Sequence, residues 1–278
     1  MATKKKAAKK KTTKKKSASK AMVSMAEFEQ QMMEQANLDS ARTGSGGGAN
    51  FISIRGGSFT YQEADLGEEI EVVVLDFVNV KDYYDSPWDQ DNPSSPACWS
   101  VSYDKPSEMV PSEYSPVVQA EACAGCWANE FGSADRGKGK ACRDGRRMAV
   151  ISKDQLDDAV EDIEIALLKA GPSSCPNFDK YIKGLAKVAK RPCYGVVTTA
   201  FFDDNMDYEV LKFRSNEKVE SPEHMQKIME LREQVSELLT QEHDPANYVS
   251  PEEQAPARGN KKAAKKKAAK KKGSKFSK

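Results

Sequence analysis

Histidine is nearly absent from this chain: of 278 residues two are His, His224 and His243. With so few, a Ser-His or Cys-His catalytic constellation has little to be built from, and no enzyme is expected. Acids such as Asp76, Asp82 and Asp85, which a metal-dependent nuclease would use, read as ordinary strand and turn residues. A phosphate-cradling GxxxxGK[ST] is missing too, because Ala141 and Cys142 follow GKGK. No stretch approaches the roughly 18 apolar residues of a membrane span, and the basic N-terminus is followed by no apolar run of the secretory kind. A cytoplasmic protein that is not secreted and has no membrane partner is expected, or a nuclear one if a eukaryotic cell reads the Lys blocks as import signals.

Acid is missing from both ends. Residues 1–20 carry ten Lys and residues 258–278 carry eleven Lys or Arg, neither with a single Asp or Glu. Such segments have almost nothing to bury and are expected to be disordered. Of the 43 basic residues, 22 then remain in the body against 42 acids, a formal charge of −20 behind the overall +1. Basic arms on an acidic body suit polyanion binding that weakens with salt, or arms that fold back on the body or a neighbour.

Between the tails, residues 21–49 read as a short amphipathic helix (21–38) and a Gly-rich linker. From Phe51 the pattern turns to strands: FISIRGGSFTY, then EIEVVVLDFVNVKDYY, the latter buried on both sides near its Val run. Residues 85–120 form a long irregular excursion rich in Pro, Ser and Asp, which within a domain is usually functional or held by something. RRMAVI (146–151) and EDIEIALLKA (161–170) read as strands, 177–190 as a helix with Phe178, Ile182, Leu185 and Val188 on one side, and YGVVTTAFFDDNMDYEVLKFR as a hairpin. A final amphipathic helix over 222–241 starts with Ser221 as cap and Pro222 at its first position, within a segment 216–243; an acidic linker and the Lys-rich tail fill 244–278. The order suggests an α+β domain over 50–215: a small antiparallel β-barrel of the oligonucleotide-binding type with an inserted four-cysteine zinc loop, flanking helices and disordered basic tails. The helices 21–38 and 222–241 are candidates for self-association.

Six cysteines in a reducing compartment are thiols or metal ligands before they are disulfides. Cys123 and Cys126 form a CxxC, a spacing whose tight turn brings two thiolates onto one tetrahedral ion. Cys142 follows a Gly-rich segment able to bend back, and Cys98 at the start of the excursion is the choice for a fourth ligand of one structural Zn²⁺. The alternatives are Cys175, Cys193 and the two His; free thiols remain the plainer alternative to zinc. Such an ion would hold Arg136, Lys138, Lys140, Arg143, Arg146 and Arg147 on a firm support. Those six, with Lys180, Lys183, Lys187, Lys190 and Arg191 near the helix, make up half of the body's basic residues. Trp99, Trp127 and Phe131 lie among the ligands and bases, and aromatics so placed suit single strands, where stacking is worth about 1–3 kcal/mol per base. The plainer alternatives are that the Trp side chains cover the metal or plug the core and that the basic run is a solvated loop.

Cys98-Trp99-Ser100, Cys123 to Cys126 with Gly132-Ser133, Gly137 to Cys142, and Arg146-Arg147 together resemble a group of tailed-phage proteins marked by CWS, CxxCxxxxxGS, GKGKxC and an Arg pair. FDKYIKGLA followed by VVTTAFF is also similar, so the resemblance spans about 50–215. It implies a phage early or replication-associated protein in a host cytoplasm, with the four cysteines as zinc ligands and single-stranded DNA as ligand. The leading expectation is therefore a non-catalytic protein that binds nucleic acid, single-stranded DNA above all, in replication or recombination. The alternative is a nucleoid-like or virion structural protein that self-assembles and tethers DNA by its tails, and a DNA mimic is a further possibility for so acidic a body.

Overall fold

The computed structural model describes residues 50–86 and 93–251, all within the unit Ser45–Lys278. The helix expected over 21–38, its linker and both Lys-rich tails lie outside the described residues. Among the described residues there are nine strands: β1 (Phe51–Arg55), β2 (Ser58–Tyr61), β3 (Ala64–Gly67), β4 (Glu69–Tyr83), β5 (Cys98–Ser102), β6 (Cys142–Ser152), β7 (Ala166–Ala170), β8 (Val196–Phe202) and β9 (Leu211–Lys218). Among the same residues two α-helices accompany them, α1 (Cys175–Gly184) and α2 (Pro222–Thr240).

The α+β class is as the sequence indicates, but the sheet is a curled, open one. Its strands run β3-β2-β1-β7-β6-β4-β8-β9 with β5 beside the far end of β4, and among the described residues no ladder joins β3 to β9. Nor is it wholly antiparallel, since β1 lies parallel to β7. The stretch 51–61 is a hairpin instead of one strand, because Gly56 and Gly57 (φ 60° and 76°) supply the left-handed pair that a tight two-residue turn demands. Within 161–170 only Ala166–Ala170 joins the sheet, and Val160–Asp162 is a 3₁₀ turn. The excursion contributes an unexpected strand, β5.

Both faces of the sheet are covered. On one, Val72, Val74, Met148, Val150 and Leu168 pack against Phe178, Tyr181 and Leu185 of α1 and the turn after it. On the other, Val73, Leu75, Val78, Ala149 and Ile151 pack against Ile228, Leu231, Val235 and Leu239 of α2. The apolar stripe of α2, a candidate for self-association, is thus buried within its own chain. Each aliphatic side chain so enclosed contributes about 1.5–3 kcal/mol relative to exposure. The start of α2 is as expected, with the Ser221 hydroxyl accepting from the His224 amide and Pro222 in the first turn.

A β-bulge decides which side chains face which helix. Val74 pairs with Val150 and Asp76 with Ala149, so Leu75 is an extra residue. Before it, even positions of β4 face α1; after it, odd positions do, as Phe77 packing in the α1 core and Val78 and Val80 in the α2 core show. Tyr83, Lys81 and Asn79 therefore lie on the α1 side, and Asp82 on the α2 side.

Candidate nucleic-acid interface and cysteine cavity

Strand pairing places Cys98 and Cys142 on either side of Tyr83, on the α1 side of three adjacent strands. Above them the excursion makes a 3₁₀ turn, Cys123–Gly125, in which the Cys126 amide donates to the Cys123 carbonyl at 3.4 Å. All four cysteines line one cavity, with Lys81, Tyr83 and Asn129. The room inside, about 20 Å³, suits a single water-sized body. Cys98, Cys123 and Cys126 are buried and Cys142 half-buried, and all six cysteines are free thiols. Cys175 is elsewhere, its thiol donating toward the Ala170 and Gly171 carbonyls, and Cys193 belongs to the α1 core. Neither His joins the cavity: His224 meets Asp157 at 3.0 Å and His243 meets Asp82 at 3.1 Å.

Four thiols on one small buried cavity are a soft donor set of the kind zinc takes. Among the described residues no three of His, Cys, Asp or Glu are drawn together to metal-binding distance. Burial pushes the Cys123 thiol up and the Cys142 thiol up to about 12, and the Lys81 ammonium opposes both shifts. Lys81 is itself buried, bonded to Asp144 and, at 3.1 Å, to Asn129.

The basic residues of the loop divide by burial. Gly132 N donates to the Gly139 carbonyl at 2.8 Å and Ala141 N to the Ser133 hydroxyl at 2.9 Å, closing a loop whose tip exposes Arg136 and Lys138. Lys140 is half-buried, 3.0 Å from both Asn129 and Asp144, with its ammonium 5.1 Å from the centre of the Phe131 ring. Arg143 is exposed and lies over Tyr84. Arg146 and Arg147 are core residues, 6% and 5% exposed. Arg146 clasps Asp179 of α1 with two bonds of 2.9 Å, and Arg147 donates to the Leu239 and Gln241 carbonyls, capping α2 at the negative end of its dipole. Lys180, Lys183 and Lys187 are exposed on α1 and the turn that follows it.

The aromatics divide in the same way. Trp99 is 1% exposed, its indole N–H donating to Glu242 at 3.1 Å and its ring edge-on to His243; it lines the cysteine cavity from within and offers no solvent-facing ring on which a base could stack. Trp127 is 48% exposed, braced by Tyr83 and Gln119, and Phe131 is 83% exposed. Seven of the twelve exposed large apolar side chains among the described residues fall in 103–131, including Tyr103 and Tyr114, which pattern reading passes over because nothing periodic surrounds them.

Compared with known proteins, the chain matches no family model, no curated protein and no solved structure.

The sequence also hides what fastens the excursion. Residues 242–249 cross it as a strap: Glu242 accepts from Trp99 and Ser112, the Asn247 carbonyl accepts from Ser95 N at 3.0 Å, Val249 N donates to Ser94 and Tyr248 to Asp85. At its root His243 and Lys169 both meet Asp82, which is 3% exposed. Burial alone would raise the Asp82 carboxyl, but Lys169 and His243 together hold it well below the ordinary carboxylate range. Asp76 pairs instead with Arg232, so Asp76, Asp82 and Asp85 serve three different partners and do not converge. No described helix is long and apolar enough to cross a membrane.

Proposed function

We propose that the protein is a non-catalytic nucleic-acid-binding protein whose cysteine excursion takes single-stranded DNA, in keeping with a phage replication or recombination role. The observation that carries this reading is the concentration of exposed apolar side chains over 103–131, next to the exposed Arg136 and Lys138 of the loop tip and Arg143 at the start of β6. Exposed rings next to cations suit unstacked bases next to phosphates, whereas a duplex keeps its base faces inside. Trp127 and Phe131 would stack, and the exposed bases of the loop together with the Lys-rich tails would meet phosphates. Cys98, Cys123, Cys126 and Cys142 would hold one structural Zn²⁺, which supplies a tetrahedral cross-link and, with four protein ligands, no open position for chemistry. Lys81 would oppose the charge of the thiolates.

The test is fluorescence anisotropy of the full chain and of Trp127→Ala/Phe131→Ala with single- and double-stranded oligonucleotides at two salt concentrations, with zinc measured on the same samples. One zinc per chain is expected, along with tighter single-strand binding that drops about 5- to 150-fold per stacked ring removed, the span of roughly 1–3 kcal/mol. Equal affinity for both forms, unchanged in the variant, would leave only an electrostatic tether.

A second reading, self-assembly with the tails as tethers, draws on the opposite end of the sheet. There Glu69 and Glu71 of β4, Asp154 and Glu164 share one groove. Light scattering without nucleic acid, before and after tail removal, separates the two readings.

A further inference from the structure

The apolar positions Phe178, Ile182, Leu185 and Val188 repeat as one inward stripe, yet Val188 is 86% exposed while Ala189 packs on the core. The cause is local. After α1 the chain widens into a π-turn, Leu185–Ala189, closed by the Lys190 amide on the Leu185 carbonyl, and Lys190 ends it in the left-handed region at φ 52°. A wider turn advances each side chain less around the axis, so Ala189 meets the core and Val188 turns out. Single π-turns cluster at functional sites, and a non-Gly left-handed residue costs of order 1–3 kcal/mol unless its surroundings hold it.

Val188 stands at a groove of about 550 Å³ between this helical segment and β9, the edge strand, with Tyr181, Leu185 and Phe213 among its lining residues. The floor is firm: Phe213 lies edge-on to Phe178 at 5.1 Å and alongside Tyr181 at 6.1 Å. Lys180 lines the wall, and Lys183 and Lys187 continue its stripe at i+3 and i+7, about 10 Å along the axis. Residues 180–191 hold five Lys or Arg and no acid, and neighbouring Asp179 is already clasped by Arg146. On the strand side Asp203 is 2.8 Å from Lys212, which also lines the groove.

We propose that this groove is a second nucleic-acid site, which seats bases of a single strand on its apolar floor and phosphates on Lys180, Lys183 and Lys187. It rests on the reading that the protein binds nucleic acid. A ligand for it must be anionic along one side and flat and apolar along the other; a single strand offers both, and a duplex presents only phosphates to so narrow a floor.

The experiment is ultraviolet cross-linking of the full chain to a bromouracil-substituted single-stranded oligonucleotide, with the adducts located by mass spectrometry. Adducts are expected in the peptides holding Tyr181 to Val188 and Phe213, and Lys180→Glu/Lys187→Glu reduces them at least tenfold while those at Trp127 and Phe131 persist. The same two lysines changed to Ala lower the slope of log affinity against log salt by about 1.4, at about 0.7 per single-strand phosphate contact. Adducts confined to the cysteine loop or tails, with binding intact, overturn the groove and leave the parent reading standing; no binding and no adducts overturn the parent reading itself. Equal groove adducts with a duplex, or removal of the groove adducts by poly-glutamate as readily as by unlabelled oligonucleotide, would also refute it, the latter making the groove a site for acidic peptides.

Discussion

Asp82→Asn tests the polar lock beneath the strap. The carboxylate is 3% exposed and accepts from Lys169 at 2.5 Å and from His243 at 3.1 Å. A hydrogen bond to a charged group is worth about 1.5–3 kcal/mol, so the two sum to about 3–6. The Lys169 side chain is 39% exposed and can return its ammonium to water, which places the expected loss near the lower end, about 3 kcal/mol. For a body of this size that is a fall of about 6–12 °C in Tm, read by circular dichroism at pH 7. Because Asp82 has a lowered pKa in the fold, its contribution is complete above the unfolded carboxylate value of about 3.9 and fades as pH drops through the folded value. The gap between wild type and variant should therefore narrow below about pH 4. A variant within a degree of wild type, or a gap that widens in acid, would show that Asp82 is not the ionised anchor described.

Gly145→Ala places a methyl 2.6 Å from a Val80 methyl and 3.3 Å from the Ala170 carbonyl, an overpacking that costs about 1–3 kcal/mol in urea unfolding. Ser221→Ala, which removes the α2 cap, lowers stability by about 1 kcal/mol in the same measurement. Arg147→Ala leaves the Leu239 and Gln241 carbonyls without their donor, and hydrogen exchange should show faster opening of the last turn of α2 than of its first. Metal analysis is expected to find one zinc per wild-type chain and none in Cys123→Ser/Cys126→Ser.

Periodic segments were the legible part of the fold. The Val run of β4, the stripe and cap of α2 and the hairpin of β8 and β9 follow from spacing alone, because each buries one stripe or alternates across a sheet. Strand β5 was hidden because its alternation, Cys98 to Ser102, is short and sits in a Pro- and Ser-rich stretch. The parallel pairing of β1 with β7 joins segments more than a hundred residues apart and has no local signal. At the candidate site, CxxC spacing picked out cysteines that do share a cavity, but charge alone could not separate Arg136 and Lys138 from Arg146 and Arg147. What distinguishes them is tertiary: Arg146 and Arg147 follow Gly145 into the middle of β6, where Asp179 and the end of α2 await them, while the other two ride a loop tip.

The extra residue in β4 has a consequence for the reading frame of the whole protein. Removing Leu75 would leave Val74 opposite Val150 and Asp76 opposite Ala149, so the bulge would close and every later side chain would keep its side of the sheet. Lys81 would still face the cysteine cavity and Asp82 would still face His243, the cation and the anion each where they are now. Most single-residue deletions in a strand flip everything that follows; the bulge is instead one residue of slack, the place where β4 can shorten by one without exchanging the electrostatic identities of its two faces.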